Sequence, residues 1–128
     1  MGQKYLIDTN ILIYALKGAF VGNQTLVEIF NESLNISIIS EIELLGFSEI
    51  PQSELKAANN LLKYANIHNL STTIKDKSIE IRQKKKLKLG DLIIAATAIT
   101  HDYTLVTRNT KDFNKVEGLK IYNPFEKD

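Results

Sequence analysis

The sequence predicts an α/β fold of three layers, an α/β/α arrangement in which helices cover both faces of a central, mainly parallel sheet. Three observations carry that prediction. Short apolar runs that stop abruptly at polar residues alternate with longer segments of helical period, the pattern of strands joined by crossover helices. The segment 91–100 is apolar nearly all round, so it belongs inside the molecule. The chain has 128 residues, 44% of them hydrophobic, which suits a single domain over residues 1–128 built on one core.

The elements follow in order. Tyr5-Leu6-Ile7 stops at Asp8 and reads as a buried strand, and residues 11–17 then form a helix closed by Gly18. Leu26, Val27 and Phe30 give residues 23–33 one apolar helical face. Residues 36–39 read as the next strand, ended by Ser40. There Ser40-Glu41-Ile42-Glu43 matches a capping box, which places Glu43 in the first turn of a helix running to Gly46. Pro51 suits the first turn of a helix carrying Leu55, Ala58, Leu61 and Leu62. A short strand is expected around Ile67, then a polar helix over 75–86 anchored by Ile79 and Ile81. Asp91 opens the buried helix, and residues 104–107 and 119–122 supply the last strands.

Composition narrows the function. With no cysteine, the chain has no disulfide, thiolate metal site or cysteine nucleophile. Sixteen Lys plus Arg against 15 Asp plus Glu leave a net charge of +1, so any affinity for nucleic acid must be local. No run reaches the ~20 apolar residues of a membrane span, and Met1-Gly2-Gln3-Lys4 does not open a secretory leader. The expectation is a soluble, cytoplasmic protein.

Four acids stand at element ends: Asp8 after the first strand, Glu43 after the second, Asp91 at the start of the buried helix and Asp112 beyond the Thr104 strand. Ligands of open α/β sheets bind beyond the carboxyl ends of the strands, so acids placed there can converge. Each also has a plain reading. Asp8 and Asp91 can be N-caps, Glu43 the partner of Ser40 in a capping box, and Asp112 a turn residue after Asn109.

Local context favours the site. Leu6-Ile7-Asp8-Thr9-Asn10-Ile11-Leu12-Ile13 resembles the opening of PIN-domain ribonucleases, especially the VapC toxins of bacterial toxin–antitoxin pairs. Ile36-Ser37-Ile38-Ile39-Ser40-Glu41-Ile42-Glu43 is similar to their second motif, and Leu89-Gly90-Asp91-Leu92-Ile93-Ile94-Ala95-Ala96 to their third. Leu105-Val106-Thr107-Arg108-Asn109-Thr110-Lys111-Asp112-Phe113 resembles their closing segment. The resemblance runs from the first strand to Pro124 with the four motifs in family order. One departure stands out: many members carry an acid where this chain has Asn109, so either Asn109 or Asp112 completes the pocket.

The resemblance implies a PIN-like fold and a metal-dependent endoribonuclease. In it, Asp8, Glu43 and Asp91 hold the metal and Asp112 completes the acidic pocket. It also implies hydrolysis of RNA to a 3′-hydroxyl product, a homodimer, and a cognate antitoxin covering the active-site groove. Physical chemistry agrees about the ion. Two carboxylates ~4 Å apart at an effective dielectric of ~20 repel by about 4 kcal/mol, so the cluster takes up protons or binds a cation. All-oxygen ligation suits Mg²⁺ or Mn²⁺. Asn10 can orient a water or a ligand carboxylate, or simply start a helix. Ser40 and Thr107 resemble hydroxyls that fix the ligands' rotamers.

His68 and His101 lie outside these motifs and fit helix-end or core roles better than acid–base catalysis. Tyr14 and Phe30 fit the core or a protein interface. Arg82-Gln83-Lys84-Lys85-Lys86-Leu87-Lys88 is the one concentrated basic run. It is either a solvated helix face or a phosphate contact beside Asp91, with Arg82, Lys85 and Lys86 sharing a face and Lys84 on another. Two other functions compete with the toxin: a PIN nuclease of RNA maturation without an antitoxin, and a phosphorylatable receiver domain. A receiver would carry adjacent acids after its first strand and a lysine after a late one, where this chain has Asp8-Thr9-Asn10 and Thr107-Arg108-Asn109.

Overall fold

A computed structural model describes residues 4–18, 23–46 and 49–126. The Met1-Gly2-Gln3 start and the last two residues of the expected 1–128 domain lie outside them. Strands β1 (Tyr5–Ile7), β2 (Leu34–Ser37), β3 (Ala65–His68), β4 (Thr104–Val106) and β5 (Ile121–Tyr122) form one sheet in the order β3-β2-β1-β4-β5, with every pair parallel. Helices α1 (Thr9–Leu16) and α2 (Gln24–Glu32) join β1 to β2, and α3 (Ile38–Leu45) and α4 (Gln52–Leu62) join β2 to β3. Helices α5 (Thr72–Lys84) and α6 (Leu89–Thr100) then carry the chain back past β1 to β4, and the short α7 (Thr110–Phe113) leads to β5. The direction of strand addition reverses between β1 and β4, and a crevice opens outside the carboxyl ends of strands at such a switch.

Alternation along the strands builds the layers. Leu6 and Leu105 join a buried cluster with Ile74, Ile81, Leu92 and Phe113, while their neighbours Ile7 and Val106 join another with Ile11, Leu12, Leu26 and Leu44. Adjacent strand residues point to opposite faces, so α5, α6 and α7 cover one side and α1 to α4 the other. Helix α6 is buried from Leu92 to Ala98. Its one polar member there, Thr97, donates its hydroxyl to the Ile93 carbonyl at 2.7 Å. Gly18 follows α1 at φ 70°, the left-handed conformation that ends a helix most easily at glycine. Among the described residues no helix is long and apolar enough to cross a membrane.

Several local expectations change. The second strand begins at Leu34 and ends at Ser37, two residues earlier than the sequence suggested. The apolar run 36–39 is divided between the strand end and the first turn of α3, where Ile39 packs against the core. Ser37, not Ser40, is the N-cap, accepting from the Ile39 amide at 3.1 Å. The Ser40–Glu43 capping box is therefore absent, and Glu43 stands in the last turn of the helix. Asp91 does not open α6; Lys88 is its N-cap position and Asp91 lies in the first turn. Asp112 sits in α7 rather than in a turn. Helix α5 ends at Lys84, with Lys85 already extended at φ −138° and ψ 149°, so Arg82, Lys85 and Lys86 do not share a helix face.

Candidate active site

Asp8 stands at the switch point. Its backbone N–H continues the sheet to the Val106 carbonyl at 3.0 Å, and it caps α1, one side-chain oxygen accepting from the Thr9 amide at 2.8 Å. The other oxygen accepts a 2.6 Å hydrogen bond from the Thr107 hydroxyl, across the β1–β4 pair. The plain capping role is thus real, yet it leaves the residue 5% exposed. Burial pushes the Asp8 carboxyl up to about 6, opposed by the Thr107 and Thr9 bonds and reinforced by the charges of Asp91 and Glu43.

The other acids reach the same place from separate elements. Burial also raises the Asp91 pKa, followed by the charges of Glu43 and Asp112, while Lys88 acts in the opposite sense. Asp8, Glu43, Asp91 and Asp112 therefore form one electrostatically coupled group. Gly90 lets α3 and α6 approach: a Cβ there would lie 3.5 Å from Glu43 Oε2 and 3.3 Å from Ile39 Cγ2. Asn109 receives its own anchor, its N–H donating to Thr107 Oγ1 at 2.9 Å, and its side-chain amide donates to Asp112 at 3.2 Å. Thr107 thus links the first acid to the last. Asn109 is thus bonded to Asp112, and Lys115 lies 3.6 Å from the same carboxylate.

Thr9 carries a role the sequence reading missed. Its hydroxyl donates to Glu43 Oε1 at 2.7 Å and lies 2.9 Å from Ser40 Oγ. With Thr9's single proton committed to the carboxylate, Ser40 is the donor in the second contact. The wholly buried Ser40 therefore supports Glu43 through Thr9, one helical turn away from its expected cap. The signal was the middle residue of Asp8-Thr9-Asn10, whose hydroxyl leaves the first turn of α1 toward α3. Asn10 Oδ1 is the buried side-chain oxygen without a hydrogen-bond partner among the described residues, an acceptor suited to a water proton.

His68 and His101 pack on each other at 4.5 Å between ring centroids and against Tyr103; burial and the neighbouring imidazole lower the His68 pKa. Tyr14 and Phe125 enclose the Arg108 guanidinium, 5.0 and 4.8 Å from their centroids, and Phe30 packs against the α1–α4 core. Arg82, Lys86 and Lys88 line a groove of about 550 Å³ that reaches Asp112, while Lys84 and Lys85 line a different cavity. Glu43 also borders an apolar groove of about 370 Å³ among Ile13, Leu16, Leu44, Ile50 and Ala58.

The donor set is all oxygen, and burial and neighbouring charge raise the pKa of both Asp8 and Asp91, which suits a hard divalent cation. Among the described residues, no three carboxylates or imidazoles are gathered closely enough to share an ion in this conformation. Thr9 holds Glu43 through one oxygen, leaving the other free for a ligand.

The chain matches the PIN domain family over residues 5–119. It is 35% identical to Ribonuclease VapC1 of Methanocaldococcus jannaschii over 128 residues, covering 94% of this chain and 88% of that protein. Against Ribonuclease VapC2 of Rickettsia felis it is 32% identical over 130 residues, covering 93% and 96%. The match to Ribonuclease VapC1 of the same species is 47% identical but short, 47 residues and 35% of each chain. Among solved structures, a toxin–antitoxin complex from Klebsiella pneumoniae superposes with a TM-score of 0.78 at 35% identity, covering 96% of this chain and 99% of that one. VapBC2 from Rickettsia felis, bound to a promoter DNA fragment, gives 0.83 at 25% identity, covering 94% and 98%.

Proposed function

The chain belongs to the PIN-domain family, and from that premise we propose that it is a VapC-type toxin, a metal-dependent endoribonuclease acting as a single domain. The observation that carries the reading is the buried Asp8, raised to about 6 at the strand-order switch and coupled to Asp91 and Glu43. A neutral binding pocket would not place a carboxylate there at such cost. Relatives that match over most of their length are named ribonucleases, in keeping with phosphodiester hydrolysis.

In this reading Asp8, Glu43 and Asp91 would hold Mg²⁺ or Mn²⁺. Such an ion supplies Lewis-acid polarisation of the phosphodiester and acidifies water. The chain's residues do the remaining work. Thr107 fixes the Asp8 carboxylate, and Ser40 through Thr9 fixes Glu43. Asn109 turns Asp112 toward the pocket, where its carboxylate can take a proton from water. Asn10 Oδ1 offers a further acceptor to that water.

Solved relatives in complex with antitoxins support an antitoxin partner. The apolar groove bordered by Glu43 supports a protein segment lying there and covering the acids. RNA substrate, homodimer and cytoplasmic location belong to the same reading. The deciding experiment maps RNA ends after brief expression in cells, wild type against Asp91→Asn. Discrete cleavage sites with 3′-hydroxyl ends are expected from the wild type alone. An identical pattern from both chains would overturn the assignment.

A further inference from the structure

The chain has two histidines, and the fold brings them together from different elements. His68 ends β3, an edge strand of the sheet, and His101 is the C-cap of α6. Their rings lie 4.5 Å apart between centroids at an interplanar angle of 45°. Tyr103 packs on both, 5.5 Å from each ring. His68 is half-buried and His101 exposed, so the pair opens to solvent. Asp91 lies in the first turn of α6 and His101 beyond its far end, roughly 15 Å away at 1.5 Å per residue. The pair therefore stands apart from the acidic centre.

A histidine with a purely structural role gives its ring N–H to a carboxylate, a carbonyl or ordered water. Among the described residues, neither ring meets a carboxylate or a carbonyl. The acid next in sequence, Asp102, is taken by Lys120 at 2.9 Å. The Tyr103 hydroxyl stands 3.4 Å from His68 Nε2, long for a hydrogen bond. Above its ordinary pKa of about 6.5 an imidazole is mostly neutral and offers a nitrogen lone pair. Zn²⁺, Ni²⁺ and Cu²⁺ favour that donor, whereas Mg²⁺ keeps to oxygen. With Zn–N bonds of about 2.0–2.1 Å, two imidazoles on one ion place their ring centres roughly 5 Å apart. The observed separation is close to that value.

We propose that His68 and His101 form a second cation site, chelating one imidazole-seeking divalent ion of the Zn²⁺ type, with water in its remaining positions. The ion ties the end of α6 to the edge strand β3 and adds to stability from outside the acidic centre. The site does not depend on the ribonuclease reading.

Titration of the full chain with Zn²⁺ in excess Mg²⁺ tests the site, because Mg²⁺ competes for carboxylates and leaves imidazoles alone. With two histidines in the chain, their ring signals in an NMR spectrum report on it directly. Both sets should shift together and saturate at one Zn²⁺ per chain, while Mg²⁺ alone moves neither. His68→Gln and His101→Gln should each weaken Zn²⁺ binding at least tenfold by calorimetry, and Asp8→Asn should leave it near wild type. Zn²⁺ should raise the melting temperature of the wild type by several degrees and leave that of His101→Gln, altered at an exposed side chain, unmoved. A response from one histidine alone, or undiminished affinity in either histidine variant, overturns the chelate. Zn²⁺ affinity lost in Asp8→Asn and kept in both histidine variants also overturns it and assigns the ion to the acidic centre. Cleavage assayed separately keeps the two readings apart: a chain that chelates Zn²⁺ through its histidines but never cuts RNA would sink the ribonuclease and leave this site standing.

Discussion

At the scale of single residues, the carboxylate of Asp8 sets a pH dependence with an unusual sign. Its folded pKa of about 6 lies above the ordinary 3.8, so between those values the folded protein binds more protons than the unfolded chain. Stability therefore falls as pH rises from about 4 to about 6, by about 3 kcal/mol from this group in metal-free protein. The raised pKa of Asp91 adds in the same direction. Asp8→Asn removes the largest part of this dependence, and urea unfolding in chelator at several pH values will reveal it. A wild-type stability that rises over that interval would contradict the electrostatics. Thr107→Val acts oppositely: it deletes the 2.6 Å bond that favours the ionised Asp8. The acid limb of the cleavage pH profile should move upward, and about 1–2 kcal/mol of stability should be lost.

Among the elements, the close approach of α3 and α6 at Gly90 separates stability from activity. Alanine there gains up to about 1 kcal/mol of helix propensity, but its Cβ meets Ile39 at 3.3 Å and the Glu43 carboxylate at 3.5 Å. Gly90→Ala should fold with a melting temperature near wild type and lower kcat a few-fold by crowding the Glu43 carboxylate; a kcat equal to wild type would mean that the added methyl leaves Glu43 in place. The same junction shows what the sequence could and could not convey. Asp8, the buried α6 and the Thr104 strand were legible because period, polarity and a sharp stop coincide in each. The end of β2 was not, because Ile36 to Ile39 serves a strand and then a helix with one unbroken apolar run. That ambiguity moved the cap to Ser37 and hid the partnership of Ser40 with Thr9. Thr9 itself was hidden because its partners lie 31 and 34 residues away, beyond any local pattern. The division of the basic run was lost similarly, since nothing in Lys84-Lys85-Lys86 marks the residue at which α5 ends.

Over the whole molecule, the chain's last described segment is tied to its first helices. Asn23 Nδ2 donates to the Pro124 carbonyl at 3.2 Å, and Arg108 lies between Tyr14 of α1 and Phe125. Phe125→Ala removes one of these two cation–π contacts together with the packing of Phe125 on Tyr14 and the core, so it should lower the urea midpoint by the equivalent of roughly 1–2 kcal/mol without changing the slope. Binding of a divalent ion at the proposed site would be the larger whole-molecule effect, because it would couple Asp8, Glu43 and Asp91 to global stability. An ion that binds only the folded chain stabilises it by about 2.7 kcal/mol at 100 times its dissociation constant. For a chain of this length that is an increase of roughly 10 °C in melting temperature. The ion would also offset the burial, and the lesser charge repulsion, that make ionised Asp8 costly, so its effect should grow as pH rises through about 6. Asp8→Asn and Asp91→Asn should each start from a higher metal-free melting temperature and respond weakly to Mg²⁺ or Mn²⁺. Calorimetry with and without the ion separates the two behaviours. Equal Mg²⁺ responses in wild type and both variants would place the ion elsewhere and leave the buried carboxylate without its counter-charge.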